Sequence, residues 1–306
     1  MNYWHAFIDS QGFRWFAKRG PGRLIFRTEA YRRLNVARNY LLSSRAVRRD
    51  PGRFHDVRTF CLFIGHNKSG TSLVGGLLDA HPNVILSDEV DALQYVEAGF
   101  GRDQIFHLLL KGSRAEARKG RITARRLEPY SYSVAGQWQG RSTTPLVVGD
   151  GTSGTSTRRL GIRPVLLDRL SGLIGGIDLR LIQVIRNPFD PISVMMVRGR
   201  RSFQNAIDHY FGACEILVDI RRRIDGASLL PVHYEKIVTD PEGGMTAVCR
   251  FLGVEVDPDY LNSCARILRR RPDRSREMVD WTRPWIDNVQ RRIGAFDFLK
   301  GYSYEN

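Results

Sequence analysis

The residues best suited to chemistry lie in a short loop rich in glycine, serine and threonine, GHNKSGTS, at residues 65–72. An apolar, β-branched run precedes the loop, and the residues after it have the apolar spacing of a helix. A loop between a strand and a helix directs backbone N–H groups and the positive helix end at one point, where anions bind. The residues predicted to bind this anion are Lys68, Ser69, Gly70, Thr71 and Ser72.

This loop differs from the ordinary nucleotide P-loop, G-x-x-x-x-G-K-[ST], in which the lysine follows the second glycine and the next hydroxyl holds Mg²⁺. Gly65 and Gly70 keep the spacing of the two glycines, but Thr71 occupies the lysine position and the lysine lies inside the loop as Lys68. The displacement weakens a metal-dependent interpretation. A P-loop kinase that uses ATP or GTP with Mg²⁺ stays open as an alternative.

A second apolar run, LRLIQVI at residues 179–185, ends at Arg186, which is followed by asparagine and proline. Because the planar guanidinium pairs with two phosphate oxygens, an arginine at a strand end is a candidate for a second phosphate. Asp190 and Pro191 are expected to be the N-cap and the first residue of the next helix. The amides of that helix would add to the same site.

The loop at Lys68 resembles the 5′-phosphosulfate loop of the sulfotransferases that use 3′-phosphoadenosine 5′-phosphosulfate (PAPS), in which the lysine lies inside the loop. A sulfuryl group carries less charge than a γ-phosphoryl group, so lysine, hydroxyls and amides can neutralise the leaving phosphate without a metal ion. The resemblance covers about residues 58–300. It implies an enzyme that transfers a sulfuryl group from PAPS to an acceptor hydroxyl with no metal cofactor.

The family's 3′-phosphate motif consists of an arginine at a strand end and a serine eight residues later. Arg186 matches the arginine, and Ser193 follows it by seven residues, so the resemblance assigns both residues to the 3′-phosphate of PAPS. By analogy, Arg274 or Arg276 in a late loop is a further contact. Residues 231–254 resemble the strand and following helix late in the sulfotransferase fold, where their role is structural, and Asp240 and Pro241 are predicted to start that helix.

An acceptor hydroxyl must lose its proton during transfer, and three carboxylates, Asp88, Glu89 and Asp91, follow a second short strand. In the carbohydrate-modifying branch that the chain resembles, a glutamate near this position is the base. This implies Glu89 as the catalytic base and Lys68 as the group that steadies the leaving oxygen. Asp88 and Asp91 compete with Glu89, because a carboxylate in a desolvated cleft has a raised pKa and is a stronger base near neutral pH. In the other interpretation, Asp88 and Glu89 only cap the helix that starts near Asp91.

The elements that must position these residues alternate as strands and helices from residue 58 to about residue 255. This order predicts an α/β fold. The resemblance implies a three-layer P-loop-type fold with a central, mainly parallel sheet and helices on both faces. We expect two parts, a basic aromatic N-terminal arm at residues 1–57 and a sulfotransferase domain at residues 58–306.

The chain carries a formal net charge of +15, and residues 1–58 hold thirteen Lys or Arg against four Asp or Glu. Aromatic residues interleave with these cations, and this mixture fits an anionic membrane surface. The alternative is an arm that packs on the core or is merely solvated, as most charged runs are. The basic residues form no known DNA- or RNA-binding motif, so nucleic acid is not an expected partner.

A second basic stretch, residues 111–126, precedes an aromatic polar loop with Tyr130, Tyr132 and Trp138. Aromatic rings can stack on sugar faces and arginines can hold anions, so we expect a saccharide or glycolipid as the acceptor. A solvent-facing helix and loop is the alternative for this stretch. A non-catalytic nucleotide-binding protein at a membrane surface stays open as an alternative to the enzyme.

The sequence contains no run of eighteen apolar residues, and its N-terminus lacks the basic start and apolar segment of a signal peptide. The four cysteines lie in apolar stretches without the Cys-x-x-Cys spacing of metal sites. These features predict a cytoplasmic protein, with peripheral membrane contact through residues 1–57 as a further option.

Overall fold

The computed structural model describes residues 29–122, 130–268 and 271–306 of the chain. The chain divides into two compact units, Met1–Pro51 and Gly52–Asn306. Within the described ranges, no helix is both long and apolar enough to cross a membrane. The candidate functional residues all belong to the second unit.

In the first unit, helix α1 spans Glu29–Arg49. Its exposed residues include Leu34 and Leu41, whose accessible fractions are 70% and 58%. These leucines are seven residues apart, which places them on the same side of the helix. The basic and aromatic residues between 1 and 28, which the sequence associates with a membrane, lie outside the described residues.

The described part of the second unit is built around a five-stranded sheet. Its strands are β1 (Thr59–Gly65), β2 (Val84–Ser87), β3 (Val147–Asp150), β4 (Asp178–Ile185) and β5 (Leu229–His233). They lie in the order β2-β3-β1-β4-β5, and every neighbouring pair is parallel. All residues of β1 are buried, as expected of a central parallel strand that is covered on both faces.

Helices pack on both faces of this sheet. The helices are α2 (Thr71–Leu78), α3 (Ala92–Glu97), α4 (Arg102–Arg118), α5 (Ser153–Ile162), α6 (Val165–Ile174), α7 (Phe189–Gly199), α8 (Phe203–Arg223), α9 (Tyr234–Thr239), α10 (Pro241–Leu252), α11 (Pro258–Arg266) and α12 (Arg283–Ile293). Cys61 of β1 belongs to the same apolar cluster as Val74 of α2 and Val248 of α10. The neighbouring Phe60 stacks on Phe106 of α4, with 5.8 Å between ring centroids. Successive strand residues point to opposite faces of a sheet, so Cys61 and Phe60 contact helices on different faces. The predicted α/β fold, with a parallel sheet between helical layers, is therefore confirmed.

The parallel strands bring the candidate residues to one edge of the sheet. β1 ends in the loop of residues 65–72, the candidate phosphate loop, β2 leads into Asp88, Glu89 and Asp91, and β4 ends directly before Arg186. Gly65 at the end of β1 is in register with Val184 near the end of β4, so the two strand ends are level. Ligands of open parallel sheets bind beyond the carboxyl ends of the strands, which makes this edge the candidate site.

Two predicted helix starts have different outcomes. α10 begins as predicted, with the Asp240 side chain accepting a hydrogen bond from Gly243 N at 3.0 Å. α7 begins at Phe189, so the prediction of Asp190 as its N-cap is wrong. The side-chain oxygen of Asn187 accepts a hydrogen bond from Phe189 N at 3.1 Å, and the carboxylate of Asp190 pairs with arginines instead.

Candidate functional site

The phosphate loop joins β1 to α2 through a left-handed turn. Lys68 has a φ of 73° and Gly70 a φ of 95°, both in the region that favours glycine. Gly70 also lies so close to Tyr234 that an added Cβ would overlap the tyrosine ring. α2 follows without a side-chain cap, and the first amides of an α-helix have no intrahelical partners. The loop and helix start therefore offer hydrogen-bond donors to an anion.

Ser69 gives the loop a hydroxyl that lacks a partner. Its side chain is buried, with 1% of its surface accessible, and its Oγ has no hydrogen-bond partner within the ranges described. Leaving a buried polar group unpaired costs about 1–3 kcal/mol, so such groups are rare. Lys68 and Ser72 are exposed beside it, and Thr71 is buried. An oxygen of a phosphate or sulfate bound at the loop would supply the missing partner, so these residues fit the predicted ligand.

The residues behind the loop hold its first segment in place. His66 Nε2 lies 2.9 Å from Tyr210 O, and the two rings stack with 3.8 Å between centroids. Burial lowers the pKa of His66 to about 4, so the ring is neutral at neutral pH. Thr157 Oγ1 accepts a hydrogen bond from Gly65 N at 2.8 Å. The Gly/Ser/Thr run after β3 is the sequence signal for Thr157, which sequence reasoning did not single out.

Arg186 lies at the end of β4 and contacts the phosphate loop directly. Its Nη1 donates to the carbonyl oxygen of Lys68 at 3.2 Å, and its guanidinium carbon lies 4.7 Å from the centroid of the Tyr234 ring. On the other side, its Nη2 donates to Ser275 Oγ at 3.3 Å and to the carbonyl oxygen of Asp273. The structure therefore brings together two residues, Lys68 and Arg186, that the sequence assigns to different phosphates.

Asp190 joins Arg186 to a second buried arginine. One oxygen of its carboxylate lies 3.0 Å from Arg276 Nη2 and 3.4 Å from Arg186 Nε. The other oxygen accepts hydrogen bonds from the Arg276 backbone N at 2.8 Å and from its Nε at 3.1 Å. Both arginines are buried, so the late loop packs next to the predicted 3′-phosphate contact. Arg274, the other late-loop candidate, lies on the surface and pairs with Glu277 at 3.1 Å.

Ser193 lies on α7 with its side chain fully buried. Its hydroxyl donates to the Phe189 carbonyl oxygen at 2.7 Å and accepts from Trp281 Nε1 at 3.0 Å. A hydroxyl has one donor and two acceptor positions, so the donor and one acceptor position are occupied by these partners. A contact between Ser193 and a 3′-phosphate stays a prediction.

The three candidate base residues after β2 lie in different surroundings. The Glu89 side chain is 73% accessible, and its carboxylate lies 3.7 Å from Lys119 Nζ. Asp91 is mostly buried and pairs with Arg159 through contacts of 2.5 Å and 3.1 Å. Asp88 is also mostly buried, and its Oδ1 has no hydrogen-bond partner in the part of the chain described. Glu89 is therefore the carboxylate that is open to a substrate, while Asp88 is the desolvated one.

The start of α3 does not depend on Asp88 or Glu89. Asp91 is the residue before this helix, but its side chain makes no capping hydrogen bond. Asp150, at the end of β3, instead accepts a hydrogen bond from Ala92 N at 2.6 Å. The structure therefore disfavours the interpretation of Asp88 and Glu89 as mere helix caps.

Burial changes the acidity of the carboxyl groups at this edge. Burial raises the pKa of Asp150 to about 6, although hydrogen bonds from Thr152 and Ala92 oppose the rise. Burial, followed by the charge of Glu116, raises the pKa of Asp88 well above its ordinary value. Both shifts have the sign expected when a carboxylate loses its hydration.

The predicted acceptor side is described in part. α4 contains the first half of the basic stretch, and residues 123–129 lie outside the described ranges. Tyr130 and Tyr132 pack edge to face with 5.1 Å between centroids, and the guanidinium of Arg141 lies 5.2 Å from the Trp138 ring. Aromatic rings and a cation are thus present beside the sheet, while their contact with an acceptor stays a prediction.

The geometry defines an α/β protein of the P-loop type, with the candidate anion-binding loop at the carboxyl edge of a parallel sheet. Among the residues that the structure describes, no group of three or more His, Cys, Asp or Glu side chains is placed to hold a metal ion. The family model described as the sulfotransferase family matches residues 178–258. This match confirms the predicted resemblance, and the enzyme class is that of a sulfotransferase. The matched residues include Arg186 and Ser193, whereas the loop at Lys68 lies outside the matched range.

Several solved structures are similar to the chain. Sulfotransferase STF1 from Mycobacterium tuberculosis H37Rv is 13% identical with a TM-score of 0.48, and the alignment covers 87% of this chain and 86% of that one. A sulfotransferase from Alicyclobacillus acidocaldarius is 16% identical with a TM-score of 0.45, covering 81% and 97%. A mouse sulfotransferase complexed with PAP is 12% identical with a TM-score of 0.38, covering 76% and 72%. Among curated proteins, no relative matches.

Proposed function

We propose that this sulfotransferase uses PAPS as its donor and acts on a hydroxyl of a saccharide or glycolipid. The observation that carries the proposal is the contact between Arg186 and the loop at Lys68, because PAPS has phosphate groups at both its 5′ and 3′ positions. When bound, PAPS supplies the sulfuryl group for transfer to the acceptor. The buried Ser69 hydroxyl without a partner supports an anion at the loop.

The residues of the chain divide the binding of this donor between two anionic ends. Lys68, Ser69, Gly70, Thr71 and Ser72 would bind the 5′-phosphosulfate. Arg186 would bind the 3′-phosphate through its planar guanidinium. Ser193 would be a second contact once its hydroxyl donates to the phosphate in place of the Phe189 carbonyl oxygen. Lys68 and the amides of the loop neutralise charge on the 5′ side, so the proposal includes no metal ion.

Glu89 is the proposed base for the acceptor hydroxyl. Its carboxylate is accessible to solvent, so a substrate hydroxyl can approach it, whereas the carboxylates of Asp88 and Asp91 are mostly buried. Its turn and the phosphate loop follow strands whose carboxyl ends lie at the same edge of the sheet. A base must come within hydrogen-bond reach of the proton that it accepts, and exposed Glu89 meets this condition best.

An acceptor screen tests the proposed function. Purified protein is incubated with PAPS in EDTA and a panel of p-nitrophenyl glycosides, glycolipids and p-nitrophenol, and products are measured by mass spectrometry. We expect a mass gain of one sulfuryl group on a glycoside or glycolipid and none without PAPS. Sulfation of p-nitrophenol alone would contradict the saccharide acceptor. Phosphorylated products that need ATP and Mg²⁺ would support the kinase alternative.

The N-terminal part is proposed to bind an anionic membrane surface separately from the domain that binds PAPS. α1 exposes Leu34 and Leu41 beside basic residues such as Arg45 and Arg48, and apolar residues beside cations suit anionic lipid headgroups. The cytoplasmic location and the division at residues 57 and 58 are part of this proposal. A deletion should end at residue 51, since the buried Phe54 packs on Phe106 with 5.4 Å between centroids.

Deleting residues 1–51 should abolish binding to anionic vesicles and leave binding of adenosine 3′,5′-bisphosphate (PAP) intact. The full chain should co-sediment with phosphatidylserine vesicles at low salt and bind phosphatidylcholine vesicles weakly. Added salt should release it, because charges are screened over about 8–10 Å near physiological ionic strength. A truncated protein that melts cooperatively and still sediments with anionic vesicles would refute the membrane role. An unfolded truncated protein would show that residues 1–51 are structural.

A further inference from the structure

A buried cluster of charged side chains lies behind the acidic residues that follow β2. Its members are Asp79 at the end of α2, Asp88 after β2, Glu116 on α4, and Arg121 after α4. Arg121 Nη2 lies 2.5 Å from Asp79 Oδ2, and its Nη1 lies 3.2 Å from Glu116 Oε2 and 3.6 Å from Asp88 Oδ2. One guanidinium thus serves three carboxyl groups from separate elements.

Glu116 holds the backbone at the point where β2 ends. Both of its carboxylate oxygens lie 3.1 Å from Asp88 N, and Oε1 also accepts a hydrogen bond from Ser87 Oγ at 2.6 Å. Hydrogen bonds to an ionised carboxylate are about twice as strong as neutral ones. Glu116 therefore fixes the two residues that precede Glu89, from a helix more than twenty residues further along the chain.

The charges within this cluster do not balance. Three carboxyl groups face one guanidinium, so full ionisation would leave an uncompensated buried negative charge. Burial and then the charge of Glu116 raise the pKa of Asp88, with Asp79 and Asp150 adding to the rise and Arg121 opposing it.

Burial also raises the pKa of Glu116, but Arg121 and the donors of Ser87 and Asp88 oppose that rise. The oxygens of Glu116 face these donors, whereas Asp88 Oδ1 has no hydrogen-bond partner in the described part of the chain. Glu116 remains the acceptor of the Asp88 amide.

The Glu89 side chain is only weakly held by contacts of its own. Its carboxylate is 73% accessible and lies 3.7 Å from Lys119, which is itself 52% accessible. Exposed ion pairs of this kind contribute little stability, so they do not fix a side chain in one place. The direction in which Glu89 projects is therefore set by the backbone of residues 87–89.

We infer that Glu116 is a positioning residue, whose buried carboxylate fixes the turn from which Glu89 meets the acceptor hydroxyl. The inference rests on the proposed function, in which Glu89 is the base. A displacement of about 1 Å at a reacting group can lower a rate about 100-fold, so an anchor next to the base affects turnover.

Hydrogen exchange of the peptide that covers residues 86–92 tests the anchor without any assay of activity. Glu116→Gln keeps the side-chain volume and one oxygen near the Asp88 amide, but it removes the charge and places an amide donor towards either the Ser87 hydroxyl or the Arg121 guanidinium. Exchange in this peptide should accelerate about 3- to 10-fold, because a hydrogen bond to a charged group is replaced by a weaker neutral one. Gln104→Ala is the control on the same helix, because Gln104 accepts a hydrogen bond from Gly101 N at 2.8 Å at the opposite end of that helix. It should leave the peptide unchanged.

A double-mutant cycle tests whether the anchor acts through Glu89. Turnover is measured with PAPS and a glycoside that the acceptor screen identifies as a substrate. The rate is divided by the number of PAP-binding sites, which calorimetry measures. Glu116→Gln should lower turnover per site about 10- to 100-fold at unchanged PAP affinity. The double variant with Glu89→Gln should be no slower than Glu89→Gln alone. A merely structural role would lower the number of binding sites and leave turnover per site unchanged.

The outcomes separate this inference from the proposed function. Unchanged exchange in residues 86–92, or additive losses in the double variant, would overturn the role of Glu116 while Glu89 stays the base. Full activity of Glu89→Gln would overturn the base and the inference together. If Glu116→Gln does not fold, Ser87→Ala replaces it, since this change removes one bond to Glu116. Ser87→Ala should lower turnover about 2- to 10-fold, and it should cause no further loss when it is combined with Glu89→Gln. Full turnover of Ser87→Ala would overturn the inference.

Discussion

PAP should raise the melting temperature of this protein in EDTA far more than AMP, and Arg186→Ala should remove most of the difference. PAP and AMP differ only in the 3′-phosphate, and Arg186 is the buried guanidinium proposed to bind it. A hydrogen bond to a charged group contributes about 1.5–3 kcal/mol, so PAP affinity should fall about 10- to 100-fold and AMP affinity little. Thermal shift and isothermal titration calorimetry measure both changes, because a ligand that binds the folded state raises its stability.

Two further variants make this result specific. Arg180→Ala removes an arginine from the same strand, but its Nη2 lies 2.8 Å from Asp178 at the other end of β4. It should leave both nucleotides unaffected. Arg186→Lys keeps the charge and loses the planar fork, so its PAP affinity should lie between those of the wild type and Arg186→Ala.

The choice of nucleotide also separates the proposal from its main alternative. Equal shifts for PAP and AMP in the wild type would refute a 3′-phosphate site at Arg186. A larger shift with ATP that depends on Mg²⁺ would favour the P-loop kinase. EDTA in the PAP experiment tests the proposed independence from metal ions, since a required ion would then be missing.

The fold, and the strand, loop and helix around Lys68, could be predicted because their signals are local. An apolar run, a loop with Gly70 and Lys68, and the apolar spacing of a helix together predict a strand, an anion site and α2. Parallel pairing then places the end of β4, and with it Arg186, next to that loop. The sequence did not predict the hydrogen bond from Arg186 to the Lys68 carbonyl oxygen, because its partners are 118 residues apart.

The roles of the acidic residues could not be predicted for a related reason. In a strand, alternation shows which side chain is buried, but the turn after β2 has no such period. Asp88 and Glu89 are neighbours in the chain, yet one is desolvated and the other is 73% accessible. Asp88 is desolvated because Glu116 and Arg121, from distant positions, pack against it. The predicted N-cap at Asp190 failed similarly, since a long-range pair with Arg276 engages its carboxylate.

Glu89→Gln should lower sulfuryl transfer about 10²- to 10⁴-fold while PAP affinity stays within error of the wild type. Glutamine keeps the size of the side chain and removes the base. Lys68→Ala should have a different effect from Glu89→Gln, because it should lower both the rate of sulfuryl transfer and the affinity for PAP. Lys300→Ala is the control for loss of a lysine, since Lys300 pairs with Asp297 on the surface and should change neither quantity. Steady-state turnover and calorimetric titration with PAP measure the two effects separately.

Asp88→Asn and Asp91→Asn decide whether the base has been assigned to the correct residue of the turn. Asp88 has the raised pKa that suits a base near neutral pH, but its carboxylate is mostly buried among Glu116, Arg121 and Asp79. A buried carboxyl group cannot meet an acceptor hydroxyl without movement of the turn, so Asp88→Asn should keep most of the turnover. Suppose instead that Asp88→Asn loses turnover about 10²- to 10⁴-fold while Glu89→Gln stays active. Solvent accessibility was then the wrong criterion for choosing the base. Asp88 would then be the base, and substrate binding would have to open the turn.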